Sequence, residues 1–230
     1  MNQTGSQDDI DKIYKEGESN YQRKDYKLAI QCFEEAAKFN HPNALFRLGF
    51  MYSLGEGIPQ DHNRAKEYYE KAGQLKHSKA LNNLGYMYDL GEGVPQDYQM
   101  AQKYYEKAIE LGDVNSMNNL AILIFELNYF VGQNIPNIQT KLTNISRGIQ
   151  LLLQAYQKSG QHKYLNTLYK YLKEDKNMFT TFVENYFHIQ EENTALYERI
   201  KDLENQIYYQ PGGPGYFEAK SNFESLKEQS

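Results

Sequence analysis

Leu48, Met51 and Tyr52 follow one another at three- and four-residue intervals, and Leu84, Met87 and Tyr88 repeat the spacing 36 positions later. Apolar residues so spaced share one face of a helix. A second amphipathic stretch follows each one, marked by Ala65, Tyr69 and Ala72 and then by Ala101, Tyr105 and Ala108. Between them lie Gly55-Glu56-Gly57-Ile58-Pro59-Gln60-Asp61 and its near copy Gly91-Glu92-Gly93-Val94-Pro95-Gln96-Asp97. Pro59 and Pro95 stop the first helix from running on. Gly55 and Gly91 suit a left-handed helix end, and Asp61 and Asp97 the N-cap of the helix that follows. Gly49 and Gly85 remove a side chain where the second helix has to cross closely. A period of this size describes helical hairpins too small to bury their own apolar faces, which become stable by stacking. The predicted fold is all-α: a right-handed α-solenoid of stacked hairpins.

Outside this pair the pattern drifts. Upstream, Gly17, Ala29, Phe33 and Ala36 fit the same hairpin, with 12 residues from Gly17 to Ala29 against 16 from Gly49 to Ala65. The four missing residues correspond to the Gly-Glu-Gly loop. Downstream, Leu120-Ala121 takes the Leu-Gly place, and Gly148, Leu152 and Ala155 take the second-helix places. The 47 residues from Ala108 to Ala155 imply an 11-residue insertion around residues 129–147. Loops of that length in compact domains are often contact sites. Helical patterns around Ile149–Gln157 and Tyr164–Lys173 complete the stack. The expected organisation is a disordered 1–9, a solenoid over 10–176, a long helix over 177–209, and a Gly/Pro turn with a short amphipathic helix over 210–230.

The run of Leu-Gly, tyrosine, Gly-Glu-Gly-Ile/Val-Pro-Gln-Asp, then alanine, tyrosine and Lys-Ala resembles the Sel-one-like repeat family, a group of tetratricopeptide-like solenoids. The resemblance is strong over residues 40–112 and weaker over 10–175. It implies a protein-binding scaffold whose first helices line a groove. The groove residues implied are Asn43, Phe46 and Phe50, then Lys79, Asn82, Asn83 and Tyr86, then Asn115, Asn118, Asn119 and Ile122. Phe46, Phe50 and Tyr86 offer apolar anchors. The recurrence of Asn82-Asn83 as Asn118-Asn119 suggests a ladder of amides, placed either to bond a bound peptide's backbone or to hold neighbouring hairpins together. Arg47 and Lys79 offer a further reading as a clamp for a terminal carboxylate.

Beyond Phe179 a heptad seam takes over. Ile189, Asn193, Leu196, Ile200, Leu203 and Ile207 alternate in steps of four and three. Isoleucine at a, leucine at d and one asparagine at a favour a parallel two-stranded coiled coil. The residues before Ile189 form a broader apolar face, suited to packing on the last repeat. Dimerisation, capping of the solenoid and pairing with another protein are the three roles open to this helix.

Charge and composition narrow the function further. The net charge of −5 comes without a basic block, which argues against a nucleic-acid or anionic-membrane binder. No apolar stretch reaches a membrane-spanning length, and the amino terminus carries no hydrophobic signal segment, so an intracellular, cytoplasmic location is expected. Cys32, the single cysteine, excludes an intrachain disulfide and reads as a small buried hydrophobe. His41, His62, His77, His162 and His188 show no metal-ligand spacing, and no nucleophile stands in a recognisable motif. The expectation is a non-enzyme without cofactor or metal: a protein–protein adaptor, possible as a homodimer, with a constitutive assembly subunit or a regulatory enzyme subunit as the alternatives.

Overall fold

The computed structural model describes residues 6–130 and 138–174, with side chains described over 6–128 and 143–172. Among the described residues the secondary structure consists of α1 Gln7–Gln22, α2 Tyr26–Ala37, α3 Pro42–Leu54, α4 His62–Gln74, α5 Ser78–Leu90, α6 Tyr98–Glu110, α7 Val114–Phe130, α8 Ile138–Ser159 and α9 Lys163–Glu174. Helices pair in order as α1/α2, α3/α4, α5/α6 and α7/α8, and each second helix then packs on the next first helix, ending with α9 on α8. The stack of hairpins is the predicted all-α solenoid. First helices α5, α7 and α9 also meet in succession, so the first helices form the inner, more crowded side.

One interlock holds each hairpin. A Cβ added to Gly49 would lie 2.7 Å from the Tyr69 ring, and one added to Gly85 would lie 2.6 Å from the Tyr105 ring. In the first unit Gly17 meets Phe33 in the same way, at 2.6 Å. The missing side chain is therefore filled by an aromatic ring from the second helix, and Phe33, Tyr69 and Tyr105 are buried. The fourth unit reverses the partners. Ala121 and Leu152 stand where Gly85 and Tyr105 stand in the third unit. The close approach passes to Gly148 of α8, which faces Phe125 of α7 at 2.4 Å. Large and small have exchanged helices while the space between them stays filled.

The seven-residue loops behave as the sequence reading expects. Gly55 and Gly91 end α3 and α5 with φ of 73° and 75°, and Asp61 and Asp97 cap α4 and α6 by accepting from the Arg64 and Met100 amides. Gln60 and Gln96 donate back to the Ser53 and Asp89 carbonyls at 2.8 and 2.7 Å. The second glycine of each loop joins two units. A Cβ on Gly57 would lie 2.1 Å from Tyr26 Cβ, and one on Gly93 would lie 2.4 Å from His62 Cβ. Each loop thus rests on the first residue of the preceding second helix, with Glu56 accepting a hydrogen bond from the Tyr21 hydroxyl.

Three expectations change. The residues inserted in the fourth unit lengthen its helices: α7 has 17 residues and α8 has 22, where α5 and α6 have 13 each. The solenoid also begins before residue 10. Ser6 caps α1 in a reciprocal pair with Asp9, which anchors the first turn. Cys32 is half-buried rather than buried, with Asn20 Nδ2 3.9 Å from its sulfur. Asn20 and Cys32 occupy the places where Tyr52 stacks on Tyr68 at 5.6 Å and Tyr88 on Tyr104 at 5.5 Å. Burial pushes the Cys32 thiol pKa up. The helix expected over 177–209, with its seam from Ile189 to Ile207, and the tail expected over 210–230 lie outside the described residues.

Candidate functional site

The concave face is built by the first helices, and most of its polar groups are occupied in joining one hairpin to the next. His41 and His77 begin the account. Each is the N-cap of a first helix: His41 Nδ1 accepts from the Ala44 amide and His77 Nδ1 from the Ala80 amide, both at 3.2 Å. A ring nitrogen that accepts must be unprotonated, so the other nitrogen, Nε2, carries the hydrogen. His77 Nε2 donates to Asn43 Oδ1 at 3.1 Å, and His41 Nε2 lies 3.3 Å from Asp11 Oδ1. Both rings also stack on an aromatic residue of the preceding first helix, His41 on Tyr14 and His77 on Phe46, each at 4.6 Å. Burial and the nearby Lys79 ammonium hold the His77 pKa below its ordinary value, which favours the neutral cap.

The next junction carries out the same task with amides. Asp113 replaces the histidine and accepts from the Ser116 amide at 2.7 Å. Asn82 takes the place of Phe46, and its Oδ1 accepts from Ser116 Oγ and from Asn119 Nδ2, both at 2.9 Å. One junction further, Asn115 Oδ1 accepts from Lys163 Nζ at 2.9 Å and from the Tyr164 hydroxyl at 3.2 Å. At the amino-terminal junction Arg47 makes a two-pronged pair with Glu18, with both nitrogen–oxygen distances 2.6 Å. The Arg47 guanidinium also lies 5.2 Å above the Tyr21 ring. Its fork is therefore taken up by Glu18, and Lys79, exposed on the next first helix, stands without it as a carboxylate clamp.

These bonds separate the predicted groove residues into two groups. Asn43, Asn82, Asn115 and Asn119 bridge hairpins, and Phe46 packs between Tyr69 and His77. Asn83 and Asn118 each face the amide of a sequence neighbour at 3.4 and 3.5 Å. Ile122 packs half-buried against the core. Lys79 and Tyr86 are exposed, and Phe50 is half-buried beside Phe46. Sequence reasoning missed Leu54 and Leu90, which repeat at the end of the first helix and remain 54% and 49% exposed, close to the 46% of Tyr86. Phe50 and Leu54, like Tyr86 and Leu90, are four residues apart and share a helix face. The resulting apolar strip crosses the second and third first helices.

Two acids border that strip. Asp89 Oδ2 accepts from the buried Tyr105 hydroxyl at 3.2 Å, and Glu126 Oε1 accepts from the Tyr171 hydroxyl at 3.2 Å. Burial raises the Asp89 pKa, with the Glu126 charge adding to the shift. Tyr105 is raised by burial and by the adjoining Asp89. Sequence reasoning also treated the histidines as scattered, although the 36-residue separation of His41 and His77 marks them as one repeat position. Among the described residues no group of three or more histidine, cysteine, aspartate or glutamate side chains converges in a way that would hold a metal, and no helix is long and apolar enough to cross a membrane.

The family model of the Sel1 repeat matches residues 5–40, 42–77, 78–113 and 114–159. Among solved structures, a Sel1 repeat protein from Oxalobacter formigenes is 28% identical, with 49% of this chain and 87% of that chain covered and a TM-score of 0.45. Cysteine rich protein B of Helicobacter pylori is 24% identical over 51% of this chain and 98% of that one, with a TM-score of 0.41. The protective antigen c5321 of uropathogenic Escherichia coli, which displays an SLR fold, is 17% identical over 90% of this chain and 58% of that one, with a TM-score of 0.45. No curated protein matches the chain. Four matched repeats, each a helical hairpin joined to the next by the contacts above, place this chain in the Sel1 repeat family, whose members are generally protein–protein interaction scaffolds.

Proposed function

We propose that the chain is an adaptor that seats a segment of a partner protein along the strip formed by Phe50, Leu54, Tyr86 and Leu90. The observation that supports this reading is the contrast within one surface. The concave polar groups are largely bonded between hairpins, whereas Leu54, Tyr86 and Leu90 stay open to solvent at matching positions of two units. Exposed apolar side chains aligned across a rigid scaffold suit partner anchoring, since a few such residues carry most of the energy of an interface. Heptad residues Ile189, Asn193, Leu196, Ile200, Leu203 and Ile207 supply the second half of the proposal, a homodimer that presents two grooves and gains avidity for a multivalent partner.

Two experiments test the halves separately. Partners captured by the full chain should be lost from the Phe50→Ala/Tyr86→Ala variant while its helical content and urea midpoint stay unchanged. Undiminished capture places the binding surface elsewhere. Light scattering should show a dimer that Leu196→Glu/Leu203→Glu converts to a monomer, and an unaltered mass in that variant rejects the seam as the dimer contact.

A further inference from the structure

We propose that the concave strip is specific for a segment carrying a lysine or arginine, seated between Asp89 and Glu126, next to an apolar side chain packed on Tyr86 and Leu90. The inference rests on the groove reading above and adds the chemistry of the occupant. It starts from how the other carboxylates facing the first helices are treated. Glu18 is paired with the Arg47 guanidinium, and Asp11 Oδ1 lies 3.3 Å from the Nε2 of the neutral His41 cap. Among the described residues Asp89 and Glu126 have no ion-pair partner, although both are held in place by tyrosine hydroxyls. Tyr105 and Tyr171 are buried, so each donor is fixed and each carboxylate is oriented before a ligand arrives.

The position of these acids adds to the argument. Asp89 lies in the last turn of α5, which ends at Leu90 in the left-handed Gly91 cap. The carboxyl end of a helix is electronegative, so an acid there is unfavourable and a cation is favoured. A cation brought between Asp89 and Glu126 meets two carboxylates and the adjacent helix end, while its aliphatic stem lies along Leu90 and Tyr86. Its charge would also offset the repulsion from Glu126 that adds to the effect of burial in holding the Asp89 pKa up. The chain's own carboxyl-terminal part is a poor match for this seat, because residues 175–230 contain acids twice as often as bases. A basic, apolar segment of another protein is the complementary occupant.

The test is selection from a randomised 12-residue peptide display library on the immobilised full chain, followed by anisotropy titration of the enriched peptides. Asp89→Asn/Glu126→Gln removes both charges yet keeps an oxygen for each tyrosine to donate to, so the fold is preserved. The expected result is enrichment of lysine or arginine beside leucine or an aromatic residue. Binding should weaken about tenfold or more in the Asn/Gln variant and fall with added salt. Enriched peptides that lose binding in Tyr86→Ala but keep it in the Asn/Gln variant leave the groove standing and overturn the cation seat. Enriched peptides indifferent to both variants, or no enrichment at all, overturn both readings. A synthetic peptide of residues 191–209 that competes with the selected peptides would make the chain's own acidic segment the occupant and overturn the proposal.

Discussion

Replacing Gly85 with alanine sets two effects against each other. In an exposed helix interior the change favours folding by about 1 kcal/mol, because glycine loses more backbone entropy than alanine. At Gly85 the new methyl would lie 2.6 Å from both Cδ1 and Cε1 of Tyr105. Ordinary contacts begin near 3.4 Å, so the ring must retreat by most of an ångström. Tyr105 is fully buried and tied to Asp89 through its hydroxyl, which leaves it little room. Overpacking of this kind costs about 1–3 kcal/mol. The net expectation is a destabilisation of about 0–2 kcal/mol, read from the urea midpoint by far-ultraviolet circular dichroism. The fourth unit provides the control, since it carries Ala121 and Leu152 at the corresponding places. Gly85→Ala should therefore be better tolerated in a Tyr105→Leu background, with a coupling energy of about 1 kcal/mol or more in the double-mutant cycle. Gly73 is the second control: there a methyl meets the Leu81 Cδ2 methyl at 2.8 Å, the mobile end of a side chain, and alanine should be neutral or stabilising. A stabilised Gly85→Ala protein, or additive effects in the cycle, would refute the interlock.

Three further predictions follow from single contacts. Gly93→Ala should destabilise by about 2 kcal/mol or more, since it combines a left-handed φ of 71° with a backbone-proximal clash on His62, and protease cleavage near the 91–97 loop reports it. Arg47→Ala should destabilise by about 1–3 kcal/mol, because it strands the half-buried Glu18, and the loss should appear in amide exchange of α1 and α3. Acid should weaken the stack through His77. Its folded pKa lies below the ordinary value of about 6.5, so the unfolded chain binds the extra proton first and stability falls as pH drops below about 6.5 toward the folded value. His77→Asn keeps a capping acceptor without titrating, and a urea midpoint falling as steeply between pH 7.5 and 5 as in the parent protein would contradict that account.

The hairpin itself was legible because its causes are local. Gly55, Gly91, Asp61 and Asp97 act within a few residues of where they stand, so their roles as helix end and helix cap follow from residue type and position. Gly49 and Gly85 were also readable as close-approach sites, since nothing else explains a glycine inside an apolar helical stripe. The fourth unit was harder. Its eleven additional residues read as a long loop, yet α7 and α8 absorb them as extra turns, an outcome set by the packing of two helices rather than by turn residues. Periodicity likewise could not reveal that the Gly85/Tyr105 pair is replaced by Phe125/Gly148 with the sizes exchanged, because either arrangement fills the same space.

The groove divides along the same line. Repetition alone determined the period and the helices, since a 36-residue unit that recurs must place equivalent residues in equivalent environments, and the family resemblance added the candidate face. Which side chains on that face remain available was decided by contacts between units. Asn43 reaches His77 across 34 residues, Asn82 reaches Asn119 across 37, and Tyr171 reaches Glu126 across 45. No local rule specifies such pairs, because each depends on how far one hairpin is displaced and rotated against the next. Sequence therefore supplied the repeat, and stacking selected which of its side chains hold the scaffold together and which stay exposed.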